Sequence, residues 1–119
     1  MKKQEILEGN RLIAEFMNFT FEPWYGEDRL GDNKTDTEYC YDEDGNVIDK
    51  LFYNSSWDWL MSVVSKCLTI NEKELDEWEY YYTQIDDSFF VVEITETYAK
   101  VVNFIKWYNN EHSKRTKNN

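Results

Sequence analysis

Carboxylates and aromatic rings are the side chains of this sequence that are frequent enough to suggest a chemical role. Of the 119 residues, 24 are Asp or Glu, and 18% are Phe, Trp or Tyr. With so many carboxylates, some pair reaches the spacing of a glycosidase or a metal-dependent nuclease by chance, so paired acids carry little information. The sequence has only 4 glycines and contains no Gly-rich phosphate loop, Walker lysine or dinucleotide fingerprint.

One acidic stretch superficially resembles a calcium-binding loop. Its oxygen-bearing side chains are Asp42, Asp44, Asn46 and Asp49. However, Gly45 follows the second acid immediately, and the bidentate glutamate that ends such a loop is missing. An Asp-Gly pair between β-forming residues is instead typical of a hairpin turn, which is our interpretation.

Nucleophilic catalysis finds little support in the residue types. His112, the single histidine, lies in a polar stretch near the C-terminus, so a Ser-His-Asp or Cys-His arrangement would depend on a base in a frayed segment. Cys40 and Cys67 lie in different predicted elements without a CxxC or Cys/His cluster, which favours two free core thiols over a disulfide or metal role. We therefore predict no catalytic, cofactor-binding or metal-binding residue, and no enzyme.

The net charge of -11 is concentrated in two segments. Residues 26–49 carry nine acidic and two basic side chains, and residues 71–97 carry nine acidic and one basic. Residues 98–119 carry five basic side chains and one acidic one, so the end of the chain is positive. Such a protein repels nucleic acid over most of its surface and attracts basic protein surfaces. No direct nucleic-acid binding is expected except through the basic end, and there we favour a solvated helix end that complements its own dipole over contact with RNA.

Tyrosines lie within both acidic segments, and Trp78 lies within the second. Exposed Tyr and Trp are common anchors of protein interfaces. Two alternatives stay open: the rings pair across strands within a sheet, and the carboxylates form a solvated face that keeps a small domain soluble. The residues that we predict to bind a partner are Tyr39, Tyr41, Asp42, Glu43, Asp44, Glu77, Trp78, Glu79, Tyr80 and Tyr81.

Three segments with helical apolar spacing must position these side chains. The first covers residues 3–18, with Gly9 weakening its middle. The second begins near Ser56, where Ser55 and Asp58 resemble a capping box. Its predicted apolar face is Trp57, Leu60, Met61, Val64 and Leu68. The third is capped by Thr95 and has a broad apolar band over residues 98–108 that is expected to pack against the second.

Two hairpins are predicted between the helices. Residues 38–41 and 47–53 flank the turn at residues 42–46, and residues 19–25 form an edge strand or an irregular segment because Pro23 lacks a donor. Residues 26–36 are expected to form an exposed loop. In the second hairpin, strand 78–85 turns at residues 86–88 into the largely buried strand 89–94.

The expected fold is therefore α+β, with three helices packed on a small antiparallel sheet of two hairpins. A chain of this length forms one domain, which we place at residues 1–111, followed by a polar basic tail at residues 112–119 that is expected to be disordered. No apolar run is long enough to cross a bilayer, and no secretory apolar block follows the first residues, so we expect a cytoplasmic protein.

Three stretches, at residues 10–17, 55–61 and 101–109, resemble those of a group of small proteins encoded by phages and prophages of Bacteroidetes bacteria. The resemblance covers the helices and little of the sheet, and it carries over no catalytic residue. Asn18 and Ser62 stand where the group commonly has glycine and proline, and the acidic tyrosine-rich segments are peculiar to this chain.

Small acidic phage proteins of this kind include anti-CRISPR proteins, and the chain is similar to the inhibitors of type VI RNA-guided RNases. The resemblance implies an inhibitor that binds the host RNase through an acidic, aromatic surface and blocks productive use of guide or target RNA. The alternative is an accessory phage protein that binds another host or virion protein, also without catalysis.

Overall fold

The computed structural model describes residues 2–23, 38–75 and 77–117, and the chain divides into two compact units. One unit contains Met1–Ile13 and Phe52–Asn119, and the other contains Ala14–Leu51. The described residues form four helices and one three-stranded antiparallel sheet, which confirms the α+β class. Folding of residues 1–111 as a single domain stays a prediction.

The larger unit is helical and contains most of helix α1 (Lys3–Phe16), helix α2 (Trp57–Thr69), helix α3 (Trp78–Ser88) and helix α4 (Ile94–Lys117). Helix α2 packs against α4, as the sequence predicted. The fully buried side chains of this core include Ile13, Tyr53, Leu60, Val63, Val64, Cys67, Ile85, Tyr98, Val101, Phe104 and Ile105. No helix in the described part of the chain combines the length and apolar content needed to cross a membrane.

Helix α2 begins where the sequence indicated, but its buried face is rotated from the predicted one. The Ser56 hydroxyl accepts a hydrogen bond from the Trp59 backbone N–H at 3.5 Å, so Ser56 is the cap and the predicted capping box of Ser55 and Asp58 is wrong. The face turned to the core is Leu60, Val63, Val64 and Cys67. Trp57 and Met61 are exposed, so their predicted place on the buried face is wrong.

The predicted second hairpin is wrong, because residues 78–88 form helix α3 and residues 89–93 form a turn. Alternating aromatics suggested a strand, yet Trp78, Tyr82 and Ile85 also follow a helical spacing. In the structure, the Trp78 and Tyr82 rings lie 4.9 Å apart on one side of the helix, and Ile85 is fully buried. Packing against α4 therefore decided between the two periodicities.

Helix α4 is longer than predicted at both ends. It begins at Ile94, so Thr95 lies inside the first turn and is not its cap. It continues to Lys117, which places residues 112–117 in a helix where the sequence indicated a disordered tail.

Gly9 allows α1 to approach α4 closely. The Tyr98 hydroxyl donates a hydrogen bond to the Ile6 carbonyl at 3.0 Å, and a Cβ at position 9 would overlap that hydroxyl. The glycine that was expected only to weaken the helix is thus required for this contact. Burial raises the pKa of Tyr98 to about 12, so the hydroxyl stays a proton donor at neutral pH.

The smaller unit contains the end of α1 and the sheet, which has the strand order β1 (Thr20–Pro23), β2 (Glu38–Tyr41), β3 (Val47–Ile48). Strand β1 is at an edge, as Pro23 predicted. The β2–β3 hairpin is confirmed, although β3 ends at Ile48 and not at residue 53. The predicted loop at residues 26–36 lies outside the described residues.

Candidate functional site

The ten residues predicted to bind a partner fall into two groups, one in each compact unit. The hairpin group is Tyr39, Tyr41, Asp42, Glu43 and Asp44, and the helix group is Glu77, Trp78, Glu79, Tyr80 and Tyr81. The first group lies on and next to the β2–β3 turn, and the second forms the first turn of α3. Each group is therefore a candidate surface in its own right.

Asp42 organises the hairpin turn with its own carboxylate. Its Oδ1 accepts hydrogen bonds from the backbone N–H groups of Asp44 and Asn46, both at 2.9 Å, and its Oδ2 accepts one from the Asn46 side-chain amide at 3.3 Å. These donors, first of all the Asn46 backbone N–H, hold the pKa of Asp42 below its ordinary value. The Asp42 carboxylate thus stabilises the turn, and the exposed carboxylates of this group are those of Glu43 and Asp44.

The residues that resembled calcium ligands serve the hairpin turn instead. Gly45 has a φ of +85°, a left-handed conformation that closes the hairpin. Two of the candidate ligands, Asp42 and Asn46, bond to each other. Among the residues that the structure describes, no group of three His, Cys, Asp or Glu side chains is arranged to hold a metal ion.

The helix group is anchored to the core by Trp78. Its indole N–H donates to the Ile70 carbonyl at 3.1 Å, and the ring is half-buried against Tyr82. Before it, Glu77 has a left-handed backbone (φ 69°) and is exposed. Trp78 therefore stabilises the start of α3, while Glu77 and Glu79 point carboxylates at solvent.

Tyr80 and Tyr81 have different environments. The Tyr81 ring stacks on Trp107 of α4 at a centroid distance of 5.5 Å and an interplanar angle of 21°. Tyr80 meets the edge of Tyr81 at 5.0 Å and is 58% exposed. We call Glu77, Glu79 and Tyr80, with Tyr81 and Trp107 behind them, the α3 face. It offers one exposed ring beside a stacked aromatic pair, together with two exposed carboxylates.

A groove of about 560 Å³ runs beside the α3 face, between α3 and α4. Its α4 wall carries Lys100, Lys106 and Lys114. Lys100 lies 3.7 Å from Glu96 and Lys114 lies 3.6 Å from Glu111, so two of these lysines pair with carboxylates of the same helix. The groove is thus mixed in charge, unlike the strongly basic track that binds a nucleic-acid backbone.

Among the described residues, the most exposed large apolar side chains lie where the sequence predicted a buried strand. Phe90 is 85% exposed, Val91 54% and Val92 76%, all in the α3–α4 turn (residues 89–93). The run of four apolar residues at 89–92 was the available signal, and it favours a buried strand over a turn. In the structure these residues form a turn after helix α3, and Phe90, Val91 and Val92 lie at the surface.

The residues that could support nucleophilic chemistry lie in structural positions. Neither cysteine is in a disulfide and both are buried, and burial raises the pKa of Cys67 to about 12, so its thiol stays protonated. His112 packs its ring on Tyr108, with Nε2 3.3 Å from a Glu72 carboxylate oxygen. These contacts tie the histidine to the helical core.

Comparisons with protein-family models, curated proteins and solved structures found no match to this chain. The resemblance of the three helical stretches to phage proteins therefore remains an argument from those residues alone.

Proposed function

We propose that this protein is a non-catalytic, phage-encoded inhibitor that binds a host type VI RNA-guided RNase in the bacterial cytoplasm. Binding blocks productive use of the guide or target RNA. The observation that carries the proposal is the α3 face, where the exposed Tyr80 ring contacts Tyr81, which stacks on the buried Trp107, and where Glu77 and Glu79 are exposed at the start of the same helix. Such a face suits a protein surface that is basic and contains a slot for one ring.

Three further features support a binding role. RNA-guided RNases hold nucleic acid in basic channels, to which a protein of net charge -11 is attracted. Tyr80 has only two side-chain torsions to order on binding, and its contact with Tyr81 already restrains them. The helical stretches that resemble phage proteins supply the host context, and the exposed carboxylates of Glu43 and Asp44 offer a second acidic contact.

The test is target-activated RNA cleavage by a type VI effector from the same bacterial group, with this protein added before or after the guide RNA. Wild-type protein should suppress cleavage, and an effect restricted to early addition would place the contact at guide loading. The double substitution Glu77→Lys and Glu79→Lys should raise the inhibitory concentration at least about tenfold and reduce its salt dependence. Tyr80→Ala should weaken inhibition at all salt concentrations.

Glu5→Lys with Glu8→Lys is the matched control, because it changes the net charge equally on the exposed side of α1. Equal loss of inhibition in both double variants would indicate a long-range effect of net charge and would contradict a specific α3 face. Full cleavage at large molar excess of wild-type protein would remove this proposal for that effector.

The alternative is an accessory phage protein that binds another host or virion protein through the same face. A pull-down from uninfected host lysate, compared between wild type and Tyr80→Ala, separates the two by the identity of the partner lost. Direct binding of RNA by the isolated protein would instead point to the lysines of the α3–α4 groove.

A further inference from the structure

The α3–α4 turn is an unusual place for three consecutive large apolar side chains. Turns are normally built from Gly, Asn, Asp, Ser and Pro, which supply the backbone conformation and tolerate water. Here Phe90, Val91 and Val92 occupy the turn and are 85%, 54% and 76% exposed. Contiguous exposed apolar residues of this kind mark interaction sites.

The backbone of this turn is also strained, because a β-branched residue occupies a position with a positive φ. Val92 has a φ of 57°, in the left-handed region that β-branched residues rarely occupy. Glycine or asparagine would adopt this conformation at lower cost. A costly residue in an exposed turn suggests that its side chain has a use other than stability.

Buried hydrogen bonds hold the turn in one conformation. The Ser88 hydroxyl donates to the Ile85 carbonyl at 2.6 Å and lies 2.9 Å from the Thr97 hydroxyl, and both side chains are buried. Above them, the Phe90 and Val91 backbone N–H groups donate to the carbonyls of Asp87 and Ser88. These bonds restrain the backbone that carries the apolar residues, which lowers the entropy cost of binding.

Carboxylates surround the apolar tip. Asp86 and Asp87 precede it and Glu93 follows it, all exposed, and Lys100, the first basic residue of α4, lies beside Glu96 at 3.7 Å. An anionic bilayer would repel this rim. A second copy of the chain would bring a like-charged rim against it.

We propose that the α3–α4 turn inserts Phe90, with Val91 and Val92, into an apolar pocket rimmed by lysine or arginine on a partner protein. This surface is separate from the α3 face, because Tyr80 and Phe90 lie at opposite ends of a helix about 16 Å long. Phe89, the remaining apolar residue of the turn, is half-buried, and its ring lies 6.4 Å from Trp57. The residues proposed to insert are therefore the exposed ones, whereas Phe89 packs against the protein's own helix α2.

The test places a photo-crosslinking phenylalanine analogue at position 90 in the full-length chain, expressed in the bacterial host. The crosslinked protein is identified, purified and titrated with wild type, Phe90→Ser and Leu7→Ser. Leu7, exposed on α1, is the matched control. Phe90→Ser should lower affinity at least about tenfold and leave the unfolding midpoint in place, whereas Leu7→Ser should leave affinity unchanged.

The basic rim is tested in the same system. The crosslink should map beside lysine or arginine residues of the partner, and Asp86→Lys with Asp87→Lys should weaken binding most at low salt. A crosslink to a second copy, retention on vesicles of phosphatidylethanolamine and phosphatidylglycerol, or no crosslink would each overturn the proposal. This test does not assume the identity of the partner. Failure to inhibit the type VI RNase would therefore contradict the proposed function and would leave this proposal open to its own test.

Discussion

Two turns in this protein each contain a residue with a left-handed backbone, but they are stabilised in different ways. The hairpin turn at residues 42–46 places glycine at its left-handed position and satisfies its amides with the Asp42 carboxylate. The α3–α4 turn places valine at its left-handed position and relies on a buried hydroxyl pair beneath it. The first turn is encoded by its own residues, and the second depends on the helices that it joins.

The difference teaches where each turn's stability resides. Local hydrogen bonds at the surface are individually weak, but they need nothing from the rest of the chain. A buried hydroxyl pair is worth more because its groups have no water to replace a lost partner. A turn that is held by the helices beside it, like the α3–α4 turn, can therefore expose apolar side chains. A turn that depends on its own residues, like the hairpin turn, needs those positions for glycine and polar residues.

Removal of the buried hydroxyl at Ser88 should have the largest effect. Ser88→Ala leaves the Thr97 hydroxyl and the Ile85 carbonyl without this partner inside the protein, which should cost about 2 kcal/mol of unfolding free energy. Chemical denaturation monitored by tryptophan fluorescence measures the loss. Ser65→Ala, on the exposed side of α2, is the control and should cost little. An unchanged midpoint for Ser88→Ala would mean that the hydroxyl pair does not hold the turn.

Substitution of the hairpin glycine comes next. Gly45→Ala should cost about 1 kcal/mol from the left-handed backbone alone. A Cβ at position 45 meets nothing within 4 Å, so steric overlap adds nothing. Amide hydrogen exchange of β2 and β3 reports the stability of this unit. Gly45→Asn should retain most of it, since asparagine tolerates the conformation; equal losses for both would contradict a backbone origin.

The reverse substitution in the other turn should stabilise the protein. Val92→Gly relieves the left-handed strain while adding freedom to the unfolded chain, for a net gain of about 0.5 kcal/mol. Val91→Gly is the matched control: its φ is not positive, so it should lose stability. Thermal melts of the two variants compare the same chemical change at adjacent positions. A loss for Val92→Gly equal to that for Val91→Gly would show that position 92 carries no strain.

Acidification should destabilise the hairpin turn, by the smallest amount of these changes. Because the folded pKa of Asp42 lies below the ordinary 3.8, the carboxylate stabilises the turn fully above that pH. This contribution is lost as the pH falls through the lower folded value. A pH titration of the Asn46 amide chemical shift should have its midpoint below 3.8, and Asp42→Asn should abolish that transition. A midpoint at or above the ordinary value would contradict the hydrogen bonds drawn to Asp42.

Elements with redundant local signals were predictable. Helix α1 begins at Lys3, as its apolar spacing predicted, but it ends at Phe16 rather than at residue 18, because Asn18 has a left-handed φ of 68°. The β2–β3 hairpin follows from the Asp-Gly turn between β-forming residues. Both cysteines were also predicted to be buried thiols outside a disulfide, and the structure confirms this.

The candidate sites were predictable only in part. Glu77, Glu79 and Tyr80 are exposed near one another, as an interface requires, but as the first turn of a helix rather than a strand. Trp78 carries an aromatic ring like the others, yet its bond to Ile70 makes it an anchor of the fold. Phe90 was assigned to the core because its run of apolar neighbours has the composition of a buried strand.

The sequence by itself determined the α+β class, the β2–β3 hairpin and the presence of helices α1, α2 and α4, since these depend on local periodicity and turn chemistry. Only the tertiary structure decided that residues 78–88 are helical, because both periods fit their aromatics and the stack of Tyr81 on Trp107 chooses one. That choice also turned the apolar run after α3 outward. The number and spacing of apolar residues can be read from the sequence, whereas the packing of the helices decides which of them are buried.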